Sequence, residues 1–134
     1  MQLENLLYAG AQVAHNFGAA AVVGLPIAAL WFKPEAPTLR KVVSLTLLAW
    51  LTQIASGAGF GSVSYFVVGA LPEIHNLAIA ALIIKIVCAM LATFLVSLQL
   101  LERAKMFSDR TILASLAALG STALACAAVL RWFS

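Results

Sequence analysis

Two side chains in this sequence can hold a proton or a metal deep inside apolar stretches: His15, in QVAHNFG, and Lys85, in LIIKIVC. A neutral imidazole offers a lone pair to a metal, a haem iron or a pigment, and equally a hydrogen bond to a packing neighbour. An ammonium at the centre of a hydrocarbon layer costs about 3 kcal/mol on insertion scales, so an intramembrane lysine is usually paired or functional. No Asp or Glu lies inside an apolar run, so no carboxylate of this chain shares Lys85's depth. The lysine is then neutral, bonded to carbonyls, or facing an anion or an oligomer partner; snorkelling to a surface is a poor alternative midway along a helix. Thr52, Gln53 and Ser56 form a third polar group, and Gln12 and Asn16 flank His15.

The second histidine, His75, follows Pro72 by three residues and reads either as a surface imidazole or as a second ligand beside His15. Cys88 and Cys126 lie in apolar runs without CxxC spacing; they read as small buried hydrophobes, with a disulfide or a metal site as the alternative. The sequence has no GxSxG, no HExxH and no Gly-rich phosphate loop, so no catalytic residue is assigned and an enzyme is the weaker expectation.

The elements that carry these residues must be membrane helices. Of 134 residues, 63% are hydrophobic and 10% charged, against roughly half and a quarter in a soluble domain. A chain this short cannot cover a water-facing surface with so few polar groups, so lipid is its expected solvent. Four apolar runs, about 6–32, 40–60, 74–101 and 111–133, are each long enough to cross ~30 Å of hydrocarbon as helix. They are rich in Ala and Leu and lack the alternation of strands. One all-α domain over 1–134 follows, an up-down bundle of four transmembrane helices. KPEAPTLRK is expected to be a tight polar loop, broken by Pro34 and Pro37, and LERAKMFSDR a second, with Ser108 or Asp109 capping the last helix. GAGFGS reads as a helix end or irregular segment, and Pro72-Glu73 as a helix start. Gly10, Ala14 and Gly18, and Ala117, Ser121 and Ala125, have the small-xxx-small spacing that lets helices approach closely.

Six of the eight Lys and Arg lie in the two polar loops: Lys33, Arg40, Lys41, Arg103, Lys105 and Arg110. The 61–73 connection has no Lys or Arg. The positive-inside rule then puts both loops in the cytoplasm and both termini outside, with Arg131 the one basic residue on the other side. A bacterial inner-membrane protein fits this pattern. Although the net charge is +3, its clustering at helix ends speaks for the membrane surface; no basic stripe interleaved with aromatics points to nucleic acid. The N-terminus MQLENLLYAG lacks a positive n-region, so the first run reads as a retained helix.

Depth can be counted from the loop ends at ~1.5 Å per residue: His15 lies about 25 Å above Phe32, Lys85 about 24 Å above Leu101, and Ser56 at a comparable height above Arg40. His15, Ser56 and Lys85, with Gln53 a turn lower, are expected to form one polar layer. His75 lies roughly 15 Å farther out than Lys85, a poor match for two imidazoles on one haem iron.

The stretch VAHNFGAAAVVGLPIAALW resembles the His-bearing helix of the copper-resistance protein D (CopD) family of bacterial inner-membrane proteins. LIIKIVCAMLATFLVSLQLLERAK is similar to that family's helix with an early lysine and a basic end, and TQIASGAGFG to its Thr/Gly-rich helix end. The resemblance is spread over about residues 10–105. It implies a four-helix membrane core and a copper or other redox-metal site toward the outer side, on His15 and His75, with Lys85 also carried over. The chain departs from the copper pattern in lacking Met- or His-rich outer segments; Met90 and Met106 lie deep or near the loops. Two alternatives stand beside this reading. One is a haem b electron carrier with His15 and His75 as axial ligands. The other is a noncatalytic accessory subunit of a larger membrane complex, holding no cofactor and packing against other membrane proteins or copies of itself.

Overall fold

The computed structural model describes residues 2–63, 65–66, 77–102 and 107–133, and there the chain forms four α-helices and no strand. They are α1 (Gln2–Phe32), α2 (Ala36–Val63), α3 (Leu77–Leu100) and α4 (Asp109–Phe133). Each is long and apolar enough to cross a membrane. The helices form a closed ring: α1 packs on α2, α2 on α3, α3 on α4 and α4 on α1, while α1–α3 and α2–α4 are diagonal.

The inward stripes follow helical spacing. Gly18, Val22, Pro26 and Ala29 are buried on α1, and Ala78, Ala81, Cys88, Ala92 and Val96 on α3. On α2 the buried stripe is Val43, Thr46, Ala49, Trp50, Gln53 and Ser56, half of it polar. Ile112, Leu113, Leu116, Gly120 and Ala123 face inward from α4. The outward positions are large and apolar; Phe17, Ile83, Met90 and Phe94 are examples. Water would penalise that surface and hydrocarbon would not.

Several boundaries differ from those expected. The first loop is only 33–35, because Pro37 sits in the first turn of α2, where its missing N–H costs no helical bond. The glycines of GAGFGS do not end α2, which runs through them to Val63; Gly57, Gly59 and Gly61 have no neighbouring atoms within reach of a Cβ. The proposed start of the third helix at Pro72-Glu73 lies outside the described residues. On α4 the small-residue row is not the inward face, since Ser121 and Ala125 are exposed and Gly120 is the buried position.

Helix ends near the two loops are tied together. Lys33 and Glu102 adopt left-handed φ values of 46° and 55° just past α1 and α3, the conformation that closes a helix C-terminus. Arg40 Nη1 donates to Glu102 Oε1 at 3.2 Å and Nη2 lies 3.5 Å from the Leu100 carbonyl, joining α2 to the end of α3. Gln99 Nε2 donates to Asp109 Oδ1 at 2.5 Å, joining α3 to α4. Ser108 is the cap of α4: its Oγ accepts from the Thr111 N–H at 3.2 Å.

α1 contains Pro26, fully buried. A proline inside a helix leaves the carbonyl four residues earlier without its helical donor; here that is Val22. The Val22 oxygen lies against α4, 2.8 Å from where a Cβ would stand on Gly120. Only a residue without a side chain lets α4 come this close. Gly120→Ala is therefore expected to cost about 1–3 kcal/mol, as overpacking does. Gly57→Ala, in open space within a helix, should stabilise by up to about 1 kcal/mol. Unfolding followed by circular dichroism in mild detergent checks both; equal behaviour of the two variants would discount the close approach.

Candidate functional site

Lys85 lies on the inward stripe of α3, seven residues after Ala78 and three before Cys88. The alanines at 78, 81 and 92 leave room along that stripe for a longer side chain. Across the bundle axis, Lys85 Nζ is 3.2 Å from His15 Nε2 on α1. The other ring nitrogen, His15 Nδ1, is 2.7 Å from Ser56 Oγ on α2. Gln53, one turn below Ser56, donates from Nε2 to the His15 main-chain carbonyl at 2.5 Å. Three helices thus meet in one hydrogen-bonded layer, and the His15–Lys85 contact bridges the diagonal pair.

One set of donations satisfies every bond in the layer. The Ser56 hydroxyl proton goes to the Thr52 carbonyl at 2.6 Å, with the Gln53 carbonyl second at 3.3 Å. In that set the Ser56 oxygen accepts from His15, and Nδ1 carries the ring proton. Nε2 is then the acceptor and Lys85 the donor. A doubly protonated ring would set an N–H against the ammonium, so the His15–Lys85 pair holds at most one positive charge. The chain of bonds ends on a main-chain carbonyl, which cannot pass a proton onward.

Gly18 makes the Gln53 contact possible. A Cβ there would stand 2.7 Å from Gln53 Nε2 and 3.4 Å from the Ala49 carbonyl. Phe60 packs the edge of its ring against His15 at a centroid distance of 5.6 Å, and Tyr8 stacks on Phe60 at 6.3 Å. Neither aromatic was singled out from the sequence, although Phe60 is one turn beyond Ser56 and Tyr8 two turns before His15, hence on the same faces. Thr52 bonds the Leu48 carbonyl of its own helix. Among the described residues Trp50, 1% exposed, is the largest fully buried side chain, and its indole N–H has no hydrogen-bond partner there.

Gln12 and Asn16 do not join the layer. They bond one another at 2.9 Å on the exposed face of α1, beside exposed Val13 and Phe17. His75 lies outside the described residues, as does Met106. Cys88 and Cys126 are free thiols, the first buried and the second half-buried.

The copper and haem readings can be tested on the donor set. Among the described residues no three His, Cys, Asp or Glu side chains converge on a point that a metal could occupy. Both ring nitrogens of His15 already have hydrogen-bond partners, and Met90 is 65% exposed on the outside of the bundle. The second ligand expected for either reading, His75, is not among the described residues, which assemble no such donor set by themselves. No family model, curated protein or solved structure matches this chain.

The tautomer assigned above is measurable. In 15N NMR of the protein in detergent, His15 should show a protonated Nδ1 and an unprotonated, hydrogen-bonded Nε2. Ser56→Ala removes the acceptor at Nδ1 and should weaken that pattern while costing about 1 kcal/mol of stability. A His15 spectrum indifferent to Ser56→Ala would show that the hydroxyl does not set the tautomer.

Proposed function

We propose that this chain is a noncatalytic subunit of a membrane protein complex, and that its Lys85–His15 layer receives an acidic group from a partner within the hydrocarbon. The observation that carries the reading is the ammonium's environment. Lys85 has three N–H donors, and its one side-chain acceptor among the described residues is His15 Nε2. None of the five acids of the chain (Glu4, Glu35, Glu73, Glu102 and Asp109) falls inside an apolar run of the sequence. A second copy brings the same arrangement, so a homo-oligomer supplies no carboxylate at Lys85's depth. The charge is best balanced by a different molecule, and intramembrane ionisable groups pair in this way.

The exposed Gln12–Asn16 pair supports the same reading. Two amides on the outer face of a membrane helix are poorly solvated by acyl chains and well solvated by polar groups of a neighbouring helix. In this reading the protein sits in a bacterial inner membrane with its basic loops in the cytoplasm and both termini outside, following the distribution of Lys and Arg.

The copper-handling reading rests on the resemblance to the CopD family. It requires His15 to exchange one hydrogen-bond partner for a metal and His75 to come to the same point. An oxidised-minus-reduced visible spectrum with metal analysis on the purified protein addresses it: a blank spectrum with stoichiometric copper lost in His15→Ala would favour copper handling over the subunit reading, and a Soret band would favour a haem b carrier instead.

The subunit reading is tested by tagging the chain in its native membrane and purifying it in mild detergent. Other membrane proteins should copurify at fixed stoichiometry. Lys85→Leu should reduce their recovery about tenfold, the equivalent of roughly 1.4 kcal/mol, while Lys85→Arg should largely retain it. Since leucine inserts more readily than lysine, loss of the partner cannot be laid to failed insertion. Recovery of the wild-type chain alone, as a monodisperse species, is the outcome that rejects the proposal.

A further inference from the structure

A second site lies at the opposite depth, where the two short loops are. There α1 ends, and α2 and α4 begin, around a cavity of about 220 Å³. Its lining divides by chemistry: Ala29, Leu39 and Leu113 are apolar, while Lys33, Arg110 and Asp109 are charged. Lys33 comes from the first loop and Arg110 from the first turn of α4, and neither has an ion-pair partner among the described residues; Arg40–Glu102 is the pair formed at this end. The Asp109 carboxylate accepts from Gln99. Two cations against this one carboxylate leave the cavity with net positive charge.

The placement matches a membrane surface. Trp31 and Phe32, 85% and 81% exposed, end α1 immediately before Lys33, and aromatic residues next to cations mark the headgroup level of membrane helices. A ligand here meets positive charge on one side and apolar side chains on the other. Free phosphate would satisfy only the cations, and a neutral lipid only the apolar wall. An anionic phospholipid satisfies both, with its phosphate between Lys33 and Arg110 and its first acyl carbons against Leu39 and Leu113.

We infer that this cavity is a binding site for one anionic phospholipid, held by Lys33 and Arg110. The inference depends on the chain spanning a membrane but not on the Lys85 partner, so either proposal can fail without the other. Native mass spectrometry of the intact protein in detergent tests it, with phosphatidylglycerol and phosphatidylcholine of identical acyl chains as probes. One phosphatidylglycerol should be retained about tenfold more than phosphatidylcholine, at about 1 kcal/mol for each nearby cation less losses to screening. The Lys33→Gln, Arg110→Gln double variant should lose that preference. The charge-conserving Lys33→Arg, Arg110→Lys variant should keep most of it, which separates loss of charge from misfolding. Lys41→Gln, on the same end but outside the cavity, should leave the preference unchanged. Equal retention of the two lipids overturns the inference, as does an equal effect of Lys41→Gln. Displacement of the bound lipid by excess inorganic phosphate would also overturn it, since the site would then be one for the free anion.

Discussion

A lysine carried into an apolar bundle, with no carboxylate among the described residues to meet it, is the constraint around which this structure is arranged. Lys85 occupies a position on α3 where the stripe would otherwise bury an alanine or a cysteine. Its charge is met by a lone pair at His15 Nε2, which exists only because Nδ1 holds the ring proton. That proton stays on Nδ1 because Ser56 accepts it, and Ser56 accepts because its own proton is committed to the Thr52 carbonyl. Each bond sets the polarity of the next. The half-polar buried stripe of α2 follows from the same requirement, since Gln53 and Ser56 are the groups that hold α1's histidine in place.

Close approach of the helices makes that arrangement possible, and α1 is approached at its main chain from two sides. Gly18 lets the Gln53 amide lie against the helix and reach the His15 carbonyl. One turn further, Pro26 releases the Val22 carbonyl, and Gly120 brings the α4 main chain next to it. Where hydrophobic burial offers little drive for helices to associate, such contacts and interhelical hydrogen bonds do much of the work. The proline and two glycines thus fix α1 relative to α2 and α4, and with it the position of His15. The exposed Arg40–Glu102 pair, 63% and 69% exposed, contributes about 0–1 kcal/mol and serves mainly to join helix ends.

The number of helices and their ability to span a membrane were legible from composition and run length, because twenty-odd apolar residues leave few other structures open. Ends were less so. Pro37 was read as a breaker although a proline in the first turn is compatible with a helix, and the glycines at 57, 59 and 61 were read as turn-formers although the helix continues through them. Counting rise per residue gave His15, Ser56 and Lys85 a common depth, but depth does not specify which way a side chain points. The partners of Gln12 illustrate the difference: one turn from Asn16, it bonds that residue on the outside of the bundle instead of turning inward to His15. The Val22–Gly120 contact was hidden for another reason, because it joins residues far apart in sequence through a main-chain atom that no side-chain pattern marks.

The distribution of charge separates two kinds of electrostatic problem in one small chain. At the loop end, cations and acids lie near one another in a wet, screened environment, and whether any single pair forms matters little to the fold. In the interior the dielectric is low and the same charge carries a far larger energetic weight. Spending one imidazole, one hydroxyl and one carboxamide on a single lysine makes sense only if that lysine is worth retaining, since an apolar side chain at the same place would need none of them and would pack without penalty. His15 gives the Lys85 amine a hydrogen-bond partner but no opposite charge. In the proposed reading an acid carried to that depth by a heteromeric neighbour completes the balance, and the exposed amides of Gln12 and Asn16 offer that neighbour polar groups on the face of α1.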